Sequence, residues 1–167
     1  QKINKYSPKT ILAATRKVVP GFGWFEKKAV YFGGGDTHRW NLGDMIMFKD
    51  THRTFFHNDL GKLLTTARKN ISFSKKIELE IESLEDIPIA LRNGVDILML
   101  DNMTPDMIQT ALNKYKNTFP HVQFEASGNI TLENIHLYAQ TGIDIISTSA
   151  PIFRPHRMMD YSLRLDI

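Results

Sequence analysis

The sequence predicts an α/β fold and, within that class, an open, incomplete α/β barrel. Short apolar runs alternate along the chain with stretches whose apolar residues recur at helical spacing. This alternation is typical of parallel βαβ units. Six strands are predicted, fewer than the eight of a complete barrel. An open doubly wound sheet is the competing architecture, because it also binds ligands at the carboxyl ends of its strands.

The predicted strands are short apolar runs that lie between polar or turn-forming residues. Each is four to six residues long, which is typical of strands buried on both faces of a parallel sheet. In chain order they cover residues 11–14, 45–48, 76–81, 97–100, 123–126 and 143–147.

Helices are predicted in the intervening stretches, where apolar residues recur at three- and four-residue spacing, as in 107–112. Pro105 suits the first turn of a helix, where proline is tolerated. Thr131 is a predicted N-cap, and Gly94 and Gly142 are predicted stop signals. The predicted helices cover residues 24–31, 60–69, 84–92, 105–117 and 132–140.

The composition is that of one ordinary globular domain, residues 1–167. The chain has no cysteine, which excludes a disulfide framework and thiolate metal sites. Its net charge of +3 is spread along the chain without a basic block, so we expect no nucleic-acid partner. No apolar run approaches the roughly 18 residues of a membrane span. We therefore expect a cytoplasmic protein without a membrane partner, and Gln1 at the first position suggests a piece of a longer chain.

Polar side chains follow every predicted strand. In a parallel α/β barrel all the strand carboxyl ends open on one face, which holds the active site. The sequence therefore predicts that cations, carboxylates and small hydroxyls meet at one mouth. The polar strand ends are Thr15-Arg16-Lys17, Lys49-Asp50-Thr51-His52, Glu78, Glu80 and Glu82, Asp101-Asn102, Ser127-Gly128-Asn129 and Ser147-Thr148-Ser149.

The cationic candidates suit an anionic ligand, although each also has a simpler interpretation. Arg16 offers a planar fork to a carboxylate or phosphate, and Lys17 offers a compact charge. The glycine-rich stretch 33–39 ends in His38-Arg39 but does not match the Walker pattern. Lys49 leaves an apolar run, where a lysine can simply reach solvent or can form a Schiff base.

The acidic candidates are Glu78, Glu80 and Glu82, which alternate along one strand and should project from the same face. Because parallel strands are normally covered on both faces, we expect at least one of these carboxylates at the inner mouth of the barrel. With Asp101 they could hold ribose hydroxyls, orient Mg²⁺ and stabilise positive charge at a reacting carbon.

The small-residue segments 127–129 and 147–149 are candidate phosphate sites. The first lies between a predicted strand and a predicted helix, so its backbone N–H groups and hydroxyl can face a phosphate. Barrels often bind phosphate after their late strands. Ordinary turn chemistry would explain both segments equally well.

In this order and spacing the motifs resemble the quinolinate phosphoribosyltransferase family. The resemblance covers almost everything from residue 11 to residue 165. It implies a type II phosphoribosyltransferase fold, an α/β sandwich followed by an open barrel, of which only the barrel is represented here. The segments that carry it are ATRKVVPG, FEKKAV, GGGDTHRWNL, MFKDTH, KIELEIESLEDI, GVDILMLDNM, FEASGNITLENI, YAQTGIDIIS and MDYSLRL.

The resemblance also implies an activity. Quinolinate and phosphoribosyl pyrophosphate give nicotinate mononucleotide, pyrophosphate and carbon dioxide, with Mg²⁺, in a homodimer or larger homo-oligomer whose subunits share the active site. It implies that five cationic side chains bind the quinolinate carboxylates and the nearby phosphates, with Thr15 beside them. These side chains are Arg16, Lys17, His38, Arg39 and Lys49. Glu80 and Asp101 would serve the ribose, its oxocarbenium-like transition state and the metal. The 5′-phosphate would be held by Ser127, Gly128, Asn129, Ser149 and Ala150. Lys17, Lys49, Glu80 and Asp101 are the catalytic candidates.

Departures from the family pattern leave the acceptor substrate open. Val18 stands where threonine is common, Thr51 where asparagine is common, and Asn129 where a second glycine is common. Two features resemble a paralogous family associated with molybdate transport. They are the segment TSAPIF, which includes Pro151, and Arg53 in KDTHR. The same charged residues would also suit a non-catalytic anion-binding barrel, or a sugar-phosphate lyase that uses Lys49 as a Schiff base.

Overall fold

A computed structural model of the chain describes residues 2–154, with no account of the side chains of residues 2 and 4. It confirms the α/β class and all six predicted strands. The resemblance segment MDYSLRL, residues 159–165, lies outside the described residues. The strands are β1 (Ile11–Ala14), β2 (Ile46–Phe48), β3 (Ile77–Ile81), β4 (Ile97–Asp101), β5 (Gln123–Ser127) and β6 (Ile145–Thr148).

The helices lie between the strands. A single turn of 3₁₀-helix, Leu84–Asp86, leads into one of them. Within the described residues, no helix is long and apolar enough to cross a membrane. The helices are α1 (Lys2–Tyr6), α2 (Gly23–Phe32), α3 (Asp50–Phe55), α4 (Leu60–Asn70), α5 (Ile87–Arg92), α6 (Pro105–Tyr115), α7 (Ile135–Gln140) and α8 (Ala150–Phe153).

The strands form one parallel sheet in the order β1-β6-β5-β4-β3-β2. Every strand from β2 to β5 pairs with the next strand in the chain, and β6 pairs with β1. This is the cyclic order of a barrel, broken between β1 and β2. A doubly wound sheet would place its first strands near the centre, where the strand order reverses. Here the first two strands are the two edges, which rules out the competing architecture.

The segment 36–39 partly covers the gap between the edge strands. The Asp36 N–H donates to the Leu12 carbonyl (2.7 Å), and its carbonyl accepts from the Ala14 N–H (2.9 Å). These bonds form an isolated parallel bridge on β1. On the other side, the Arg39 guanidinium contacts the Met47 sulfur of β2 (2.7 Å). The segment thereby satisfies backbone groups on the exposed edge of β1.

The apolar residues divide between the two faces of the sheet. The larger core lies between the strands and the surrounding helices, and each of its buried aliphatic side chains contributes about 1.5–3 kcal/mol to folding. A small cluster of Ala13, Met45, Ile97 and Ile145 lies on the other face and closes the amino-terminal end of the barrel interior. The larger core includes Leu63, Leu64, Leu79, Ile81, Leu98, Leu100, Ile108 and Phe124.

Two copies of the pattern Gly-Val/Ile-Asp-Ile, 94–97 and 142–145, join a helix to the next strand in the same way. Each glycine adopts positive φ, as the end of a helix often requires. The Asp96 carboxylate then accepts from the Ile77 N–H of the neighbouring strand (2.7 Å) and from Arg68 (2.5 Å). The matching partners of Asp144 are the Phe124 N–H (2.7 Å) and Lys116 (2.6 Å).

Several sequence predictions of helices were wrong in detail. Thr131 is not a helix N-cap, because α7 begins only at Ile135 and Asn134 caps it. The Asn134 side chain instead accepts from the Thr131 N–H (2.8 Å), which closes a turn before the helix. The short helices α1, α3 and α8 were not predicted, since four to six residues are too few to show a helical period.

Candidate active site

A cavity of about 720 Å³ opens at the carboxyl ends of the strands. Every site residue that the family resemblance implies lines it, so the structure brings together side chains from all six strand ends. Their individual roles stay predictions. The predicted residues are Thr15, Arg16, Lys17, His38, Arg39, Lys49, Glu80, Asp101, Ser127, Gly128, Asn129, Ser149 and Ala150.

Two short segments supply most of the cations. Arg16 and Lys17 directly follow β1, where the Lys17 N–H donates to the Thr15 hydroxyl (3.2 Å) and tightens the turn. His38 and Arg39 come from the segment that covers the gap. His38 adopts positive φ (56°), and its N–H donates to the Asp36 carboxylate (2.6 Å). Both cation pairs are therefore carried by backbone segments that are held to the barrel.

The His38 imidazole points into the barrel interior and meets two buried carboxylates. Its Nε2 lies 3.1 Å from Glu125 Oε2 and 3.6 Å from Glu78 Oε2. Both glutamates are fully buried, and three of their four carboxylate oxygens have no hydrogen-bond partner among the described residues. Sequence reasoning expected at least one of three glutamates, Glu78 among them, at the inner mouth and gave no functional role to Glu125. Both prove to be interior residues, on strands β3 and β5.

Burial and the neighbouring Glu125 raise the pKa of Glu78 to about 8. Burial alone would lower the pKa of His38, but the Glu125 hydrogen bond and the charges of both glutamates raise it. The three ligand atoms lie within 4.8 Å of one another, which would also suit a metal ion. One proton on His38 and one on Glu78 bring the net charge of the cluster to zero. Protons alone can therefore explain how two carboxylates are buried together.

Two further carboxylates line the pocket, those of Glu80 and Asp101. Glu80, on β3, accepts a hydrogen bond from the Lys49 ammonium, which leaves the end of β2. Asp101 ends β4 and accepts from the Asn102 side chain through Oδ2 (2.7 Å). Within the described residues its Oδ1 has no hydrogen-bond partner and stays available to a ligand. The pocket thus offers one paired and one largely free carboxylate.

The turn after β5 is shaped by two left-handed residues. Gly128 has φ +89°, and a Cβ there would lie 2.8 Å from the Asn102 backbone nitrogen. Asn129, where the family commonly has glycine, also has positive φ (52°), a conformation that asparagine tolerates better than most residues. Its side chain donates to Asn102 Oδ1 (3.0 Å). Asparagine therefore preserves the turn, although it adds a side chain beside the pocket.

Gly128→Ala should destabilise the protein by about 1–3 kcal/mol and lower any activity at this pocket, because the new methyl group is both strained and in contact with Asn102. Gly61→Ala is the matched control. Its Cβ would meet nothing closer than 3.5 Å within helix α4, where alanine is favoured over glycine. Urea denaturation of both variants measures the difference. Equal stabilities would show that the turn after β5 tolerates rearrangement.

The segment after β6 is only partly open to a ligand. The Ala150 N–H donates to the Thr148 hydroxyl (3.0 Å), which itself donates to the Ile130 carbonyl (2.6 Å). Ser149 precedes α8 and its hydroxyl makes no capping bond. Ser149 can therefore donate to an anion directly, whereas Ala150 contributes through shape rather than through its N–H.

Some predicted features lie elsewhere. Glu82 is exposed beyond the end of β3 and does not line the pocket, whereas Glu80 does, in agreement with the expectation of at least one of these carboxylates at the mouth. The glycines at 33–35 line a separate cavity on the outside of β1. A Cβ at Gly35 would lie 2.7 Å from Val30 and 3.1 Å from the Leu12 carbonyl. These glycines therefore serve the packing of α2 against β1.

Among the departures from the family pattern, Asn129 and the TSAPIF residues Thr148, Ser149, Ala150 and Phe153 line the pocket, whereas Val18, Thr51, Arg53 and Pro151 do not. Val18 packs toward Gly23, and Thr51 is exposed on α3. Arg53 pairs with Asp86 (2.8 Å), and Pro151 borders the outer cavity.

Sequence reasoning also missed several residues that line the pocket. Met47 and Met99 are two of them, and strand alternation with Lys49 and Asp101 could have revealed both. Glu125 also lines the pocket, and sequence reasoning gave no functional role to it or to the lining residues Ile130, Thr131, Phe153 and Arg154.

Comparison with known proteins agrees with this geometry. Residues 1–164 match the family described as quinolinate phosphoribosyl transferase, C-terminal domain. A probable nicotinate-nucleotide pyrophosphorylase (carboxylating) of Methanothermobacter thermautotrophicus is 46% identical over 138 residues, 81% of this chain and 49% of that protein. One of the same name from Archaeoglobus fulgidus is 40% identical over 99% of this chain and 63% of its own length.

A solved nicotinate-nucleotide pyrophosphorylase from Francisella tularensis superposes with a TM-score of 0.79 at 36% identity, covering 90% of this chain and 51% of that one. The chain spans about half the length of most of the relatives it matches. Its open six-stranded barrel is the fold of these structures. The chain belongs to the quinolinate phosphoribosyltransferase family, as a representative of its C-terminal domain.

Proposed function

We propose that the protein transfers the phosphoribosyl group of phosphoribosyl pyrophosphate to quinolinate with decarboxylation. The products are nicotinate mononucleotide, pyrophosphate and carbon dioxide, a step of NAD biosynthesis. The observation that carries this proposal is the convergence of five cationic side chains, two carboxylates and a tight polar turn at one mouth. A dicarboxylate and a pyrophosphate together need several cations, and a developing ribosyl cation needs carboxylates.

The cations divide by position. Arg16 and Arg39 can each offer a planar fork to a carboxylate, while Lys17 and Lys49 act as compact charges. His38 is held by two buried carboxylates that favour its protonated form and offset its charge, so it lines the pocket as a polar contact rather than as added net charge. Quinolinate would therefore be neutralised between the turn after β1 and the segment that covers the gap. No covalent nucleophile is required, because pyrophosphate leaves as positive charge develops at the ribose.

The carboxylates Glu80 and Asp101 would stabilise that positive charge. They also fit Mg²⁺, since both offer hard oxygen donors at the pocket and Asp101 keeps one oxygen free of hydrogen bonds among the described residues. Bound Mg²⁺ would neutralise the pyrophosphate oxygens. The 5′-phosphate would lie against Ser127, Gly128 and Asn129, with Ser149 opposite.

A homodimer or larger assembly that shares its active sites, in the cytoplasm, completes this proposal. It is supported by aromatic side chains of α2 and its flanking residues, which stay 40% or more exposed in the single chain. Most of them lie within one short stretch of sequence, residues 22–32. They are Phe22, Trp24, Phe25, Tyr31, Phe32 and Trp40.

The test is pyrophosphate release by the intact protein that contains this chain, with quinolinate, nicotinate or no acceptor. We expect release with quinolinate only. Release with a different acceptor would support the molybdate-associated paralogue, and binding without release would support an anion-binding barrel. Borohydride should trap no adduct on Lys49 with a keto-sugar phosphate, and a stable adduct would support the lyase.

Quinolinate should also raise the melting temperature, and Arg16→Ala/Arg39→Ala should erase the shift. A ligand that binds only the folded state stabilises it by about 2.7 kcal/mol at a hundredfold excess over Kd. Arg92→Ala is the matched control, because Arg92 lies exposed on α5 and, among the described residues, bonds only the Pro88 carbonyl (3.0 Å). Differential scanning fluorimetry measures all three. An undiminished shift in the double variant would place the dicarboxylate pocket elsewhere.

A further inference from the structure

Lys27 is the one buried residue of helix α2, whose other side chains are at least partly exposed. It is 3% exposed. Its ammonium donates to the Ala14 carbonyl (3.1 Å) and to the Thr37 carbonyl (2.5 Å). Among the described residues no carboxylate lies close enough to form an ion pair with it. The charge of Lys27 is therefore balanced mainly by two backbone dipoles.

The two carbonyls belong to the two backbone segments that carry the cation pairs. Ala14 is the last residue of β1 and stands directly before the turn that carries Arg16 and Lys17. Thr37 stands directly before His38 and Arg39. One ammonium thus joins the backbone of the two segments that present these cation pairs. No other side chain in the described part of the chain bonds both segments.

The arrangement costs stability, because a buried cation loses its hydration. Burial lowers the pKa of Lys27, and the charges of Arg39 and Arg16 lower it further. A methionine of similar length would fill the same space without that cost. The polar end of Lys27 therefore has a use beyond packing, namely to hold two carbonyls that would otherwise lack this shared donor.

We propose that Lys27 is a positioning residue for phosphoribosyl transfer, one that sets the distance between the Arg16–Lys17 turn and the His38–Arg39 segment. The proposal rests on the proposed function, since it assigns both segments to the same quinolinate molecule. Lys27 itself touches no substrate, because it does not line the pocket. Its effect passes through the cations, whose separation must match two carboxylates on one ring.

The first experiment compares Lys27→Met with wild type in the intact protein, using kcat/KM for quinolinate. We expect a loss of at least about thirtyfold, expressed mainly as a raised KM for quinolinate, because the chemistry at Glu80 and Asp101 is unaltered. Lys28→Met is the matched control. Lys28 lies next along the same helix, and its ammonium lies over the Trp24 and Tyr31 rings (5.6 and 5.8 Å), so the loss of activity in this control should stay within about twofold.

A double-mutant cycle with Arg39→Ala separates positioning from mere stability. If Lys27 acts through Arg39, the double variant should lose little more than Lys27→Met alone. If Lys27 only stabilises the fold, the two losses should multiply. Multiplying losses, or a Lys27→Met variant within about threefold of wild type, would overturn the proposal.

Lys27→Arg covers the case in which methionine prevents folding. Arginine keeps a cation and several donors, so it should recover at least about tenfold over Lys27→Met, and its own cycle with Arg39→Ala should again be less than multiplicative. Equal losses in both variants would show that a cationic donor at position 27 restores no activity, which overturns the proposal. Wild-type turnover is read separately. If wild type releases no pyrophosphate with quinolinate, the proposed function is wrong. If wild type is active but the two losses multiply, only the role of Lys27 is wrong.

Discussion

Lys49→Ala should lower kcat/KM for phosphoribosyl transfer by at least about a hundredfold while the fold persists. Its ammonium lies at the end of β2, bonded to Glu80 and half exposed toward the pocket. Removing it deletes a cation near the developing negative charge of pyrophosphate and leaves the Glu80 carboxylate without its partner. Loss of one such transition-state contact typically costs about 3 kcal/mol, which corresponds to that change in rate.

Pyrophosphate release and circular dichroism, measured side by side, test this prediction. Lys62→Ala is the control, since Lys62 is an exposed lysine on α4 outside the pocket. It should keep full activity and stability, because exposed substitutions away from special features usually change stability by less than about 0.5 kcal/mol. Activity of Lys49→Ala within about threefold of wild type would remove Lys49 from the site.

Raising the pH from about 4.5 to about 8 should destabilise the protein through the buried cluster of His38, Glu78 and Glu125. In the unfolded chain Glu78 loses its proton near its ordinary pKa of 4.5, whereas the folded protein retains it up to about 8. Between these values the folded state binds the extra proton. The free energy of unfolding should then fall by about 1.4 kcal/mol per pH unit for that group.

His38 acts with the same sign. Its pKa is raised in the folded protein, so its stabilising effect is complete below the ordinary value of 6.5 and is lost as the pH rises through the raised value. Both groups therefore favour the folded state at the acidic side of this window. A carboxylate with a lowered pKa, such as Asp44, changes the free energy of unfolding only at lower pH and does not contribute to the slope in this window.

Urea denaturation across this pH range measures the slope, and Glu78→Gln should remove most of it. Glutamine is close in shape and neutral at every pH, so it mimics the protonated acid. Glu82→Gln is the control from the same segment, because Glu82 is exposed and outside the cluster. A slope that survives in Glu78→Gln, or one that vanishes in Glu82→Gln, would show that the buried carboxylate is not its source.

Much of the barrel and of its mouth was predictable from the sequence. Apolar runs and their polar ends mark strands because side chains alternate across a strand and because parallel strands expose their carboxyl ends together. These local rules placed Lys49, Asp101 and Ser127 at one opening without any knowledge of their neighbours. The positive φ of Gly128 was not predicted, although glycine adopts that conformation more readily than other residues.

Only the tertiary structure decided which polar residues turn inward and what they meet. His38 and Glu125 are 87 positions apart, and no local pattern links them. The same is true of Lys27, which a sequence would assign to the surface of α2 yet which lies 3% exposed between two carbonyls. Burial makes the difference, because a charge removed from water must find specific partners, and those partners come from distant segments that only the closed barrel brings together.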